Sequence, residues 1–166
     1  MSKGKIIRRA EIAAICSRLR KQGKKIVSTN GVFDILHRGH VTYLQRAKAL
    51  GDALIVGLNS DASVRRIKGP KRPINNEKAR AQCLAALECV DYVVVFGEND
   101  PIKILDGIKP SIHVKGGDYN GKEGEILEKS VVERNGGKIV LIDMVKGYST
   151  TKLIEKIVDA YRDKVK

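Results

Sequence analysis

Residues 29–40 read TNGVFDILHRGH and place two of the three histidines of the chain, His37 and His40, where a strand should end and a helix begin. Residues 24–28 are a short β-type run, and residues 41–50 carry apolar side chains at helical spacing. The free amide groups and the dipole at a helix N-terminus attract anions, and glycines let a ligand approach the backbone. The stretch therefore predicts a phosphate site in which both imidazoles donate hydrogen bonds.

The pattern T-N-G-x-F-D-x-L-H-x-G-H resembles the H-x-G-H signature of the nucleotidyltransferase superfamily, and in particular the adenylyltransferase half of the heptose-phosphate enzymes. An isolated H-x-x-H pair would also suit one face of a helix or half of a zinc site, but the preceding strand, the glycines and the Phe-Asp pair favour the first interpretation. The resemblance implies catalytic roles for His37 and His40. It also implies nucleotide contacts at Gly31, Val32, Phe33, His37, Gly39 and His40, and contacts to the second substrate at Asn30 and Asp34.

The length and composition are those of one α/β domain spanning residues 1–166. The chain is 42% hydrophobic without tryptophan, and no stretch reaches the length of a membrane span. Its first residues, MSKGK, lead into a charged amphipathic segment rather than a signal peptide, so we expect a cytoplasmic protein with no membrane partner. The three cysteines, Cys16, Cys83 and Cys89, are odd in number and lack C-x-x-C spacing, which favours neither disulfides nor a thiolate zinc site.

The charge of the chain has two interpretations. Its 32 Lys and Arg against 19 Asp and Glu give +13, which suits a nucleic-acid binder or an enzyme that handles several phosphates. Single-strand binders need aromatic stacking platforms, and this chain has only two Phe, five Tyr and no Trp. The composition favours the enzyme and predicts no nucleic-acid partner. A non-catalytic RNA- or DNA-binding protein with salt-sensitive affinity stays as the alternative of another class.

Helical segments alternate with short β-rich runs along the chain, without repeats or linkers. The order predicts a Rossmann-like, doubly wound sheet of five parallel strands with helices on both faces, whose ligands bind beyond the carboxyl ends of the strands. We expect strands near residues 26–29, 53–58, 92–96, 111–115 and 139–143. We expect helices near 8–22, inside an N-terminal helical segment 1–23, and near 40–50, 76–88, 101–107, 123–135 and 150–165, the last inside a C-terminal helical segment 148–166.

Residues 58–75 follow the second predicted strand and carry five positive charges within residues 65–72. A glycine and two prolines argue against a regular element there, so a solvated surface loop is one interpretation. The match to the N-S-D-x-S-V-x-x-x-K-G-x-x-R-P-I pattern of the same family favours a loop that closes over phosphates. The resemblance implies a catalytic Lys68 and a substrate-binding Arg72. Asp61 either caps the next turn or, as the resemblance favours, orients the sugar phosphate.

Two further segments match the family. Arg80 lies in ARAQCLAAL on a predicted helix, where an arginine is most often a surface ion-pair partner, but the resemblance makes it a substrate-site residue. Residues 116–122 fit G-x-x-x-x-G-K, but Glu123 stands where a P-loop needs Ser or Thr, so we reject the P-loop. The strand end VKGGDY instead implies a substrate contact at Lys115 and nucleotide contacts at Gly116, Gly117 and Asp118.

The segment GYSTTK, residues 147–152, begins the last predicted helix. Its hydroxyl residues would cap a helix in any protein. The resemblance adds a second role, in which hydroxyls and free amides hold the β- and γ-phosphates of the nucleotide. The implied nucleotide-binding residues are Tyr148, Ser149, Thr150 and Thr151.

The resemblance extends in unbroken order from about residue 24 to residue 157. It implies that a sugar 1-phosphate oxygen attacks the α-phosphorus of ATP directly, giving a nucleotide sugar and pyrophosphate without a protein nucleophile. Mg²⁺ is expected with ATP, although no acidic cluster marks a protein metal site. The sugar-kinase domain that often accompanies this domain is absent from the sequence, so we expect a stand-alone enzyme and, as is common in related enzymes, a homodimer.

Two alternatives keep the reaction and change the substrates. A cytidylyltransferase for glycerol or ethanolamine phosphate is one, and an adenylyltransferase of the FAD synthetase type is the other. Motifs separate them from a heptose-phosphate enzyme only by degree. Val32 and Tyr119 replace a Cys and a Trp that are frequent in the resembling family, and we expect neither change to alter the chemistry.

Overall fold

Six parallel strands form one sheet in the computed structural model, which describes residues 4–116 and 126–162. The strands are β1 (Ile6–Ile7), β2 (Ile26–Gly31), β3 (Ala53–Asn59), β4 (Tyr92–Phe96), β5 (Ile112–Gly116) and β6 (Lys138–Ile142). The helices are α1 (Ile12–Lys21), α2 (Arg38–Lys48), α3 (Asp61–Lys68), α4 (Glu77–Ala86), α5 (Ile102–Ile108), α6 (Lys129–Arg134) and α7 (Thr150–Tyr161), and a 3₁₀ turn (Arg9–Glu11) precedes α1.

The order of the strands across the sheet is β1-β4-β3-β2-β5-β6. Strands β3 and β4 follow β2 along the chain and lie on one side of it. Strands β5 and β6 lie on the other side of β2, so the direction in which strands are added reverses between β2 and β5. These two strands pair through Val27 with Ile112 and Ser28 with His113. The connections leave such a switch point in opposite directions and open a crevice at the carboxyl ends of the strands. The predicted doubly wound parallel sheet is confirmed.

Alternate residues of each strand face opposite sides of the sheet and build two separate cores. On one side α2 and α4 pack against strand residues that include Val27, Leu54 and Val56. On the other side α1 and α5 pack against residues that include Ile26 and Ile55. Because both faces are covered, the central strands read as continuous apolar runs.

A buried cluster of oxygens fastens α2 to the sheet beside the crevice. The hydroxyls of Thr29 and Tyr43 lie 2.7 Å apart, and each lies 3.0 Å from the carbonyl oxygen of Val114. The three groups come from β2, α2 and β5, so their shared hydroxyl protons connect the two strands of the switch point to the helix that follows the first. Burial raises the pKa of Tyr43 and keeps its phenol neutral.

The structure has one strand more than the sequence predicted. Ile6 and Ile7 form β1 against Val93 and Val94 at the sheet edge, inside the segment predicted to be an N-terminal helix. A run of two residues has no measurable periodicity, and its partner strand lies far along the chain, so local pattern did not reveal it. The N-terminal helix itself is α1.

The first part of the predicted basic loop is instead helix α3. Ser60 caps it by accepting a hydrogen bond from the Ser63 amide at 3.2 Å, and Val64 is buried beneath it. The glycine and prolines that argued for a loop come after its last residue, Lys68. Of the predicted helix 123–135, residues 123–125 lie outside the described part, as do residues 163–165 of the predicted last helix. Among the described residues, no helix is both long and apolar enough to cross a membrane.

Candidate active site

A cleft of about 650 Å³ opens at the carboxyl ends of the strands, at the switch point between β2 and β5. Its walls come from the turn after β2, the ends of β3 and β5, the last turn of α3 and the start of α7. The position is the one that the strand order dictates for a ligand site.

His40 lines the cleft at the start of α2, and His37 stacks beside it. His37 is the N-cap residue, but its backbone is extended and its side chain makes no capping bond, so the ring stacks on His40 with centroids 3.8 Å apart. Both ring nitrogens of His37 and Nδ1 of His40 are buried without hydrogen-bond partners among the described residues. Buried polar atoms are normally paired, so these nitrogens mark a place built for a polar ligand.

The ring nitrogens of both histidines are held neutral. Burial, together with the smaller effect of the nearby His37, lowers the pKa of His40 to about 4. Burial also lowers the pKa of His37 below its ordinary value. At neutral pH each imidazole therefore has one N–H to donate and one nitrogen to accept. An anionic ligand would favour the protonated forms and raise both pKa values.

One small residue and one strained residue allow this packing. A Cβ on Gly39 would lie 3.0 Å from Cε1 and Nδ1 of His37 and 3.1 Å from Cβ of Tyr148, so the close approach of both rings to α2 requires glycine. Phe33 has a φ of 45°, a left-handed conformation that a bulky residue rarely adopts. Its ring meets His40 edge-on at 5.3 Å. Strain of this kind collects at functional sites.

Asp34 holds the segment after α3 against the cleft. Its carboxylate is fully buried and accepts hydrogen bonds from Arg72 Nε at 2.6 Å and from the amides of Ile74 and Asn75 at 2.9 Å. Burial alone would raise the pKa of Asp34, but the bonds from Asn75, Ile74 and Arg72 outweigh it and hold the pKa below its ordinary value. The carboxylate is therefore a fixed acceptor, and it positions Arg72 at the cleft.

Arg80 supports the same segment from below. Its guanidinium has no exposed surface and donates to the carbonyls of Val32 at 2.7 Å and Asn75 at 2.9 Å and to Asp61 Oδ1 at 2.8 Å. These bonds connect the turn after β2, the segment before α4 and the first turn of α3. The structure thus shows Arg80 and Asp61 fixing these three segments relative to one another, and their predicted contact with substrate stays a prediction.

The start of α7 lies beside the start of α2. Ser149 caps the helix by accepting from the Lys152 amide at 3.1 Å, and Thr150 and Thr151 line the cleft. The Tyr148 ring lies 6.4 Å from the ring of His37 and 5.8 Å from the guanidinium carbon of Arg38. The free amides of two helix N-termini therefore converge on one space, which is a favourable arrangement for a polyphosphate.

Most of the predicted site residues meet at this cleft. Those that line it are Asn30, Gly31, Val32, Phe33, Asp34, His40, Lys68, Arg72, Lys115, Gly116, Thr150 and Thr151. Another group lies behind or beside the lining, namely His37, Gly39, Asp61, Arg80, Tyr148 and Ser149. Gly117 and Asp118 lie outside the described residues.

The sequence reasoning missed several residues of the cleft. Asn59, Asn99 and Asp100 stand at or just after the ends of β3 and β4, so polar residues at strand ends were the signal available for them. Glu128 and Met144 carried no such signal. Lys115 Nζ lies 2.6 Å from Glu128 Oε1, and both side chains are nearly buried. Among the described residues, no group of three or more His, Cys, Asp or Glu is placed to hold a metal ion.

A doubly wound parallel sheet with an H-x-G-H turn at its switch point, facing the N-terminus of a second helix, defines a nucleotidyltransferase. The chain belongs to the cytidylyltransferase-like family, whose sequence pattern matches residues 28–156. It is 56% identical over 142 residues to the bifunctional protein HldE of Syntrophotalea carbinolica, and 56% identical over 147 residues to that of Helicobacter pylori strain J99. These alignments take in 86% and 87% of this chain but 29% and 30% of those proteins, so the chain spans about 30% of the length of its curated relatives.

Solved structures agree with the fold. The lipopolysaccharide core biosynthesis protein from Thermoplasma volcanium matches with a TM-score of 0.63 and 34% identity, over 76% of this chain and 100% of that chain. Pantoate-beta-alanine ligase from Francisella tularensis matches with a TM-score of 0.59 and 18% identity, over 95% of this chain and 78% of that chain. The second likeness concerns the fold alone.

The three histidines allow a direct test of the cleft electrostatics by NMR of the imidazole resonances. In the ligand-free protein we expect His40 to titrate near pH 4 and His37 below its ordinary value of 6.5. Because unfolding returns both to ordinary values, stability should fall as the pH drops from about 6.5 toward 4. ATP should raise both pKa values, since anions favour the protonated rings.

His113 is the internal control for this titration. It is fully buried, its Nδ1 lies 2.8 Å from Ser28 Oγ, and burial lowers its pKa to about 3. It does not line the cleft, so its resonances should not respond to ATP. A His40 that titrates near 6.5 without ligand, or that ignores ATP, would contradict the proposed placement of the phosphates.

Proposed function

We propose that the protein transfers AMP from ATP to D-glycero-D-manno-heptose 1-phosphate, forming ADP-heptose and pyrophosphate for lipopolysaccharide or a related glycan. The observation that carries the proposal is the pair of stacked, neutral histidines with unpartnered nitrogens at the N-terminus of α2. The identity of 56% to HldE proteins and the similarity to a lipopolysaccharide core biosynthesis protein support the heptose assignment.

The reaction is a direct displacement at phosphorus. An oxygen of the sugar 1-phosphate attacks the α-phosphorus of ATP, a new P–O bond forms, and the bond to the bridging oxygen of the β-phosphate breaks. The electron pair of that bond leaves with pyrophosphate. The attacking oxygen is already anionic, so the protein has mainly to bring two anions together and to stabilise the charge that grows on the leaving group.

In the proposal, each catalytic residue has a role that its position in or beside the cleft supports. His40 donates to an α-phosphate oxygen, and His37, stacked behind it, donates to a neighbouring phosphate oxygen. The amides at the start of α7, with Thr150 and Thr151, hold the β- and γ-phosphates. Lys68, exposed at the end of α3, closes on the leaving pyrophosphate as a mobile point charge.

The remaining cleft residues divide between the substrates. Gly116 and Met144 both line the cleft at the end of β5, and the proposal places the adenine or the ribose of ATP beside them. Gly117, Asp118 and Tyr148 complete the nucleotide side in the proposal. Arg72 has five N–H donors and uses the one on Nε for Asp34, so its remaining donors are candidates for the sugar phosphate, together with Asn30 and Lys115.

Mg²⁺ fits this site as a companion of the triphosphate. The ion usually keeps several waters and takes one or two protein carboxylates plus substrate phosphates, and the cleft offers cationic and amide donors rather than a carboxylate cage. Bound with ATP, it would neutralise phosphate charge. We place the reaction in the cytoplasm, where ATP is available.

Labelled ATP tests the proposed reaction. With heptose 1-phosphate as acceptor, label at the α-phosphorus should appear in the nucleotide sugar, and label at the γ-phosphorus should appear only in pyrophosphate. ATP should be used well above CTP, because a site that hydrogen-bonds one base edge leaves polar groups unpaired with another, at about 1 to 3 kcal/mol each. Transfer of the γ-label to the sugar would mean a kinase, and preferred use of CTP would move the assignment to a cytidylyltransferase.

Substitutions test the named residues. His37→Ala and His40→Ala should each lower kcat at least about 100-fold, comparable to removing one preorganised donor to a developing oxyanion. Lys68→Ala should lower kcat/KM by a factor that corresponds to about 1.5 to 3 kcal/mol of lost transition-state stabilisation, the range for a hydrogen bond to a charged group. Gln45→Ala on the exposed side of α2 and Lys71→Ala, outside the cleft lining, are matched controls. Normal kcat in a well-folded His40→Ala variant would remove the catalytic assignment.

We also propose that the protein is a homodimer that covers α7. No residue of this helix is buried, and Ile157, Val158 and Tyr161 are 47%, 56% and 52% exposed on one face. A contiguous apolar face on a helix usually marks an interaction surface. Because the same helix begins at Thr150 in the cleft, covering it would also steady the phosphate site.

Light scattering coupled to gel filtration measures this directly. The chain has a mass of 18.3 kDa, and we expect a species of twice that mass. Ile157→Glu should give a monomer with normal secondary structure, whereas Lys156→Glu, an exposed control on the same helix, should leave the dimer intact. A wild-type protein that stays monomeric at about 100 μM would exclude a stable dimer, whose Kd lies well below that concentration.

A further inference from the structure

We infer that Glu128, paired with Lys115, binds two neighbouring hydroxyl groups on a sugar ring of one of the two substrates. The inference rests on the proposed function in that it takes those substrates to be ATP and a sugar 1-phosphate. It gives Glu128, which no motif singles out, a role in deciding which sugar is accepted.

The pair is built into the cleft wall rather than the core. Lys115 is the penultimate residue of β5, and Glu128 immediately precedes α6. Their side chains are 13% and 6% exposed, with Nζ 2.6 Å from Oε1, and both residues line the cleft. A nearly buried ion pair contributes little net stability, because desolvation of the charges offsets their attraction. Its place in a ligand cleft therefore points to recognition.

The charge of the substrates narrows what a carboxylate can bind there. Both substrates carry phosphates, which a carboxylate repels, so its ligand must be a neutral donor. The ammonium of Lys115 neutralises Glu128 and limits that repulsion. A carboxylate offers about four acceptor positions, and the ammonium uses one of them, so acceptor capacity is left for a ligand.

Hydroxyl groups match the pair better than an amine does. Each hydroxyl donates one hydrogen bond and accepts others, so two neighbouring hydroxyls can donate to the carboxylate and accept from the ammonium beside it. An adenine edge places one N–H beside an acceptor nitrogen, so it fills one acceptor position of the carboxylate where two hydroxyls fill two. Asn30 Oδ1, in the wall of the same cleft, is buried without a hydrogen-bond partner among the described residues and supplies a further acceptor. Acidic groups bind ribose hydroxyls in the same way in other doubly wound sheets.

Two sugars on the substrates carry such hydroxyls, the ribose of ATP and the acceptor sugar, and deoxy analogues distinguish them. Calorimetry would compare ATP with 2′-deoxy-ATP and 3′-deoxy-ATP, and heptose 1-phosphate with its 2-deoxy analogue. For the sugar that Glu128 binds, the deoxy analogue should bind wild-type protein about 10-fold to 100-fold more weakly, the range for one hydrogen bond to a charged group. In Glu128→Gln this difference should shrink to about 3-fold or less, because a neutral amide makes a weaker bond.

The change in discrimination separates recognition from a structural role. If the ion pair were only structural, Glu128→Gln would change the stability of the protein, or it would weaken binding of a substrate and of its deoxy analogue by the same factor. Unchanged discrimination in Glu128→Gln for both sugars, or none in the wild-type protein, would overturn the inference. The double variant Lys115→Gln with Glu128→Gln removes both charges of the pair together and supplies the same measurement if the single variant folds poorly. Glu133→Gln, exposed on α6, is the matched control.

The outcome is independent of the proposed reaction. If the protein binds ATP but transfers no AMP to heptose 1-phosphate, the proposed function fails, and the ribose comparison still decides the role of Glu128. Discrimination on the ribose alone would place the pair on the nucleotide side of the cleft. Discrimination on the heptose alone would place it on the acceptor side.

Discussion

The pairing of β2 with β5 is the constraint on which the site depends. Because the strand order reverses between them, the segments that follow these two strands diverge and leave a cleft that no core side chain fills. The shared hydroxyl protons of Thr29 and Tyr43 at the Val114 carbonyl fix both strands to α2. The direction in which the N-terminus of α2 points, and with it the placement of His37 and His40, is therefore set by buried contacts below the site.

The groups at the centre of this cleft that attract phosphate are neutral in the ligand-free protein, so they do not repel one another. Two protonated imidazoles at 3.8 Å would oppose each other, and burial avoids this by keeping both neutral. The amides at the starts of α2 and α7 carry only partial charges. The formal positive charges are carried by long side chains at the edge of the cleft, such as the exposed Lys68, whose charged group can stay in water until a ligand binds. A phosphate thus meets a surface that is already arranged, and arrangement in advance is the main source of electrostatic catalysis.

Features of the fold and the site that depend on local sequence could be predicted, whereas those that depend on contacts between distant residues could not. The H-x-G-H turn and the parallel sheet follow from spacing within single segments, and most of the predicted cleft residues came from the resemblance of such segments to a known family. β1 forms only by pairing with a strand about 87 residues away, since Ile6 pairs with Val93. Helix α3 forms because Ser60 caps it and Val64 is buried beneath it, despite the charged composition of the segment. The roles of Asp34 and Arg80 could not be separated from substrate binding, because only the folded chain reveals that their polar atoms are already occupied by the segment 72–75 and its neighbours. The sequence also gave no sign of Glu128, because its partner Lys115 lies on another element and only the folded chain brings the two together.

Three ion pairs around the cleft explain how an anion-binding site tolerates its own carboxylates. Asp34 is neutralised by Arg72, Asp61 by Arg80 and Glu128 by Lys115, each within 2.8 Å. In each pair the carboxylate also fixes the position of the cation, so the acids organise the site rather than weaken it. The pairs differ in what they leave available. Arg80 is fully buried and donates to three protein groups, Arg72 bonds Asp34 through Nε alone, and Glu128 has acceptor positions beyond the one that Lys115 uses. Under the proposed function, the three pairs would therefore differ in role: one would support the site, one would contact a phosphate and one would contact sugar hydroxyls, as a cleft for two phosphorylated substrates requires.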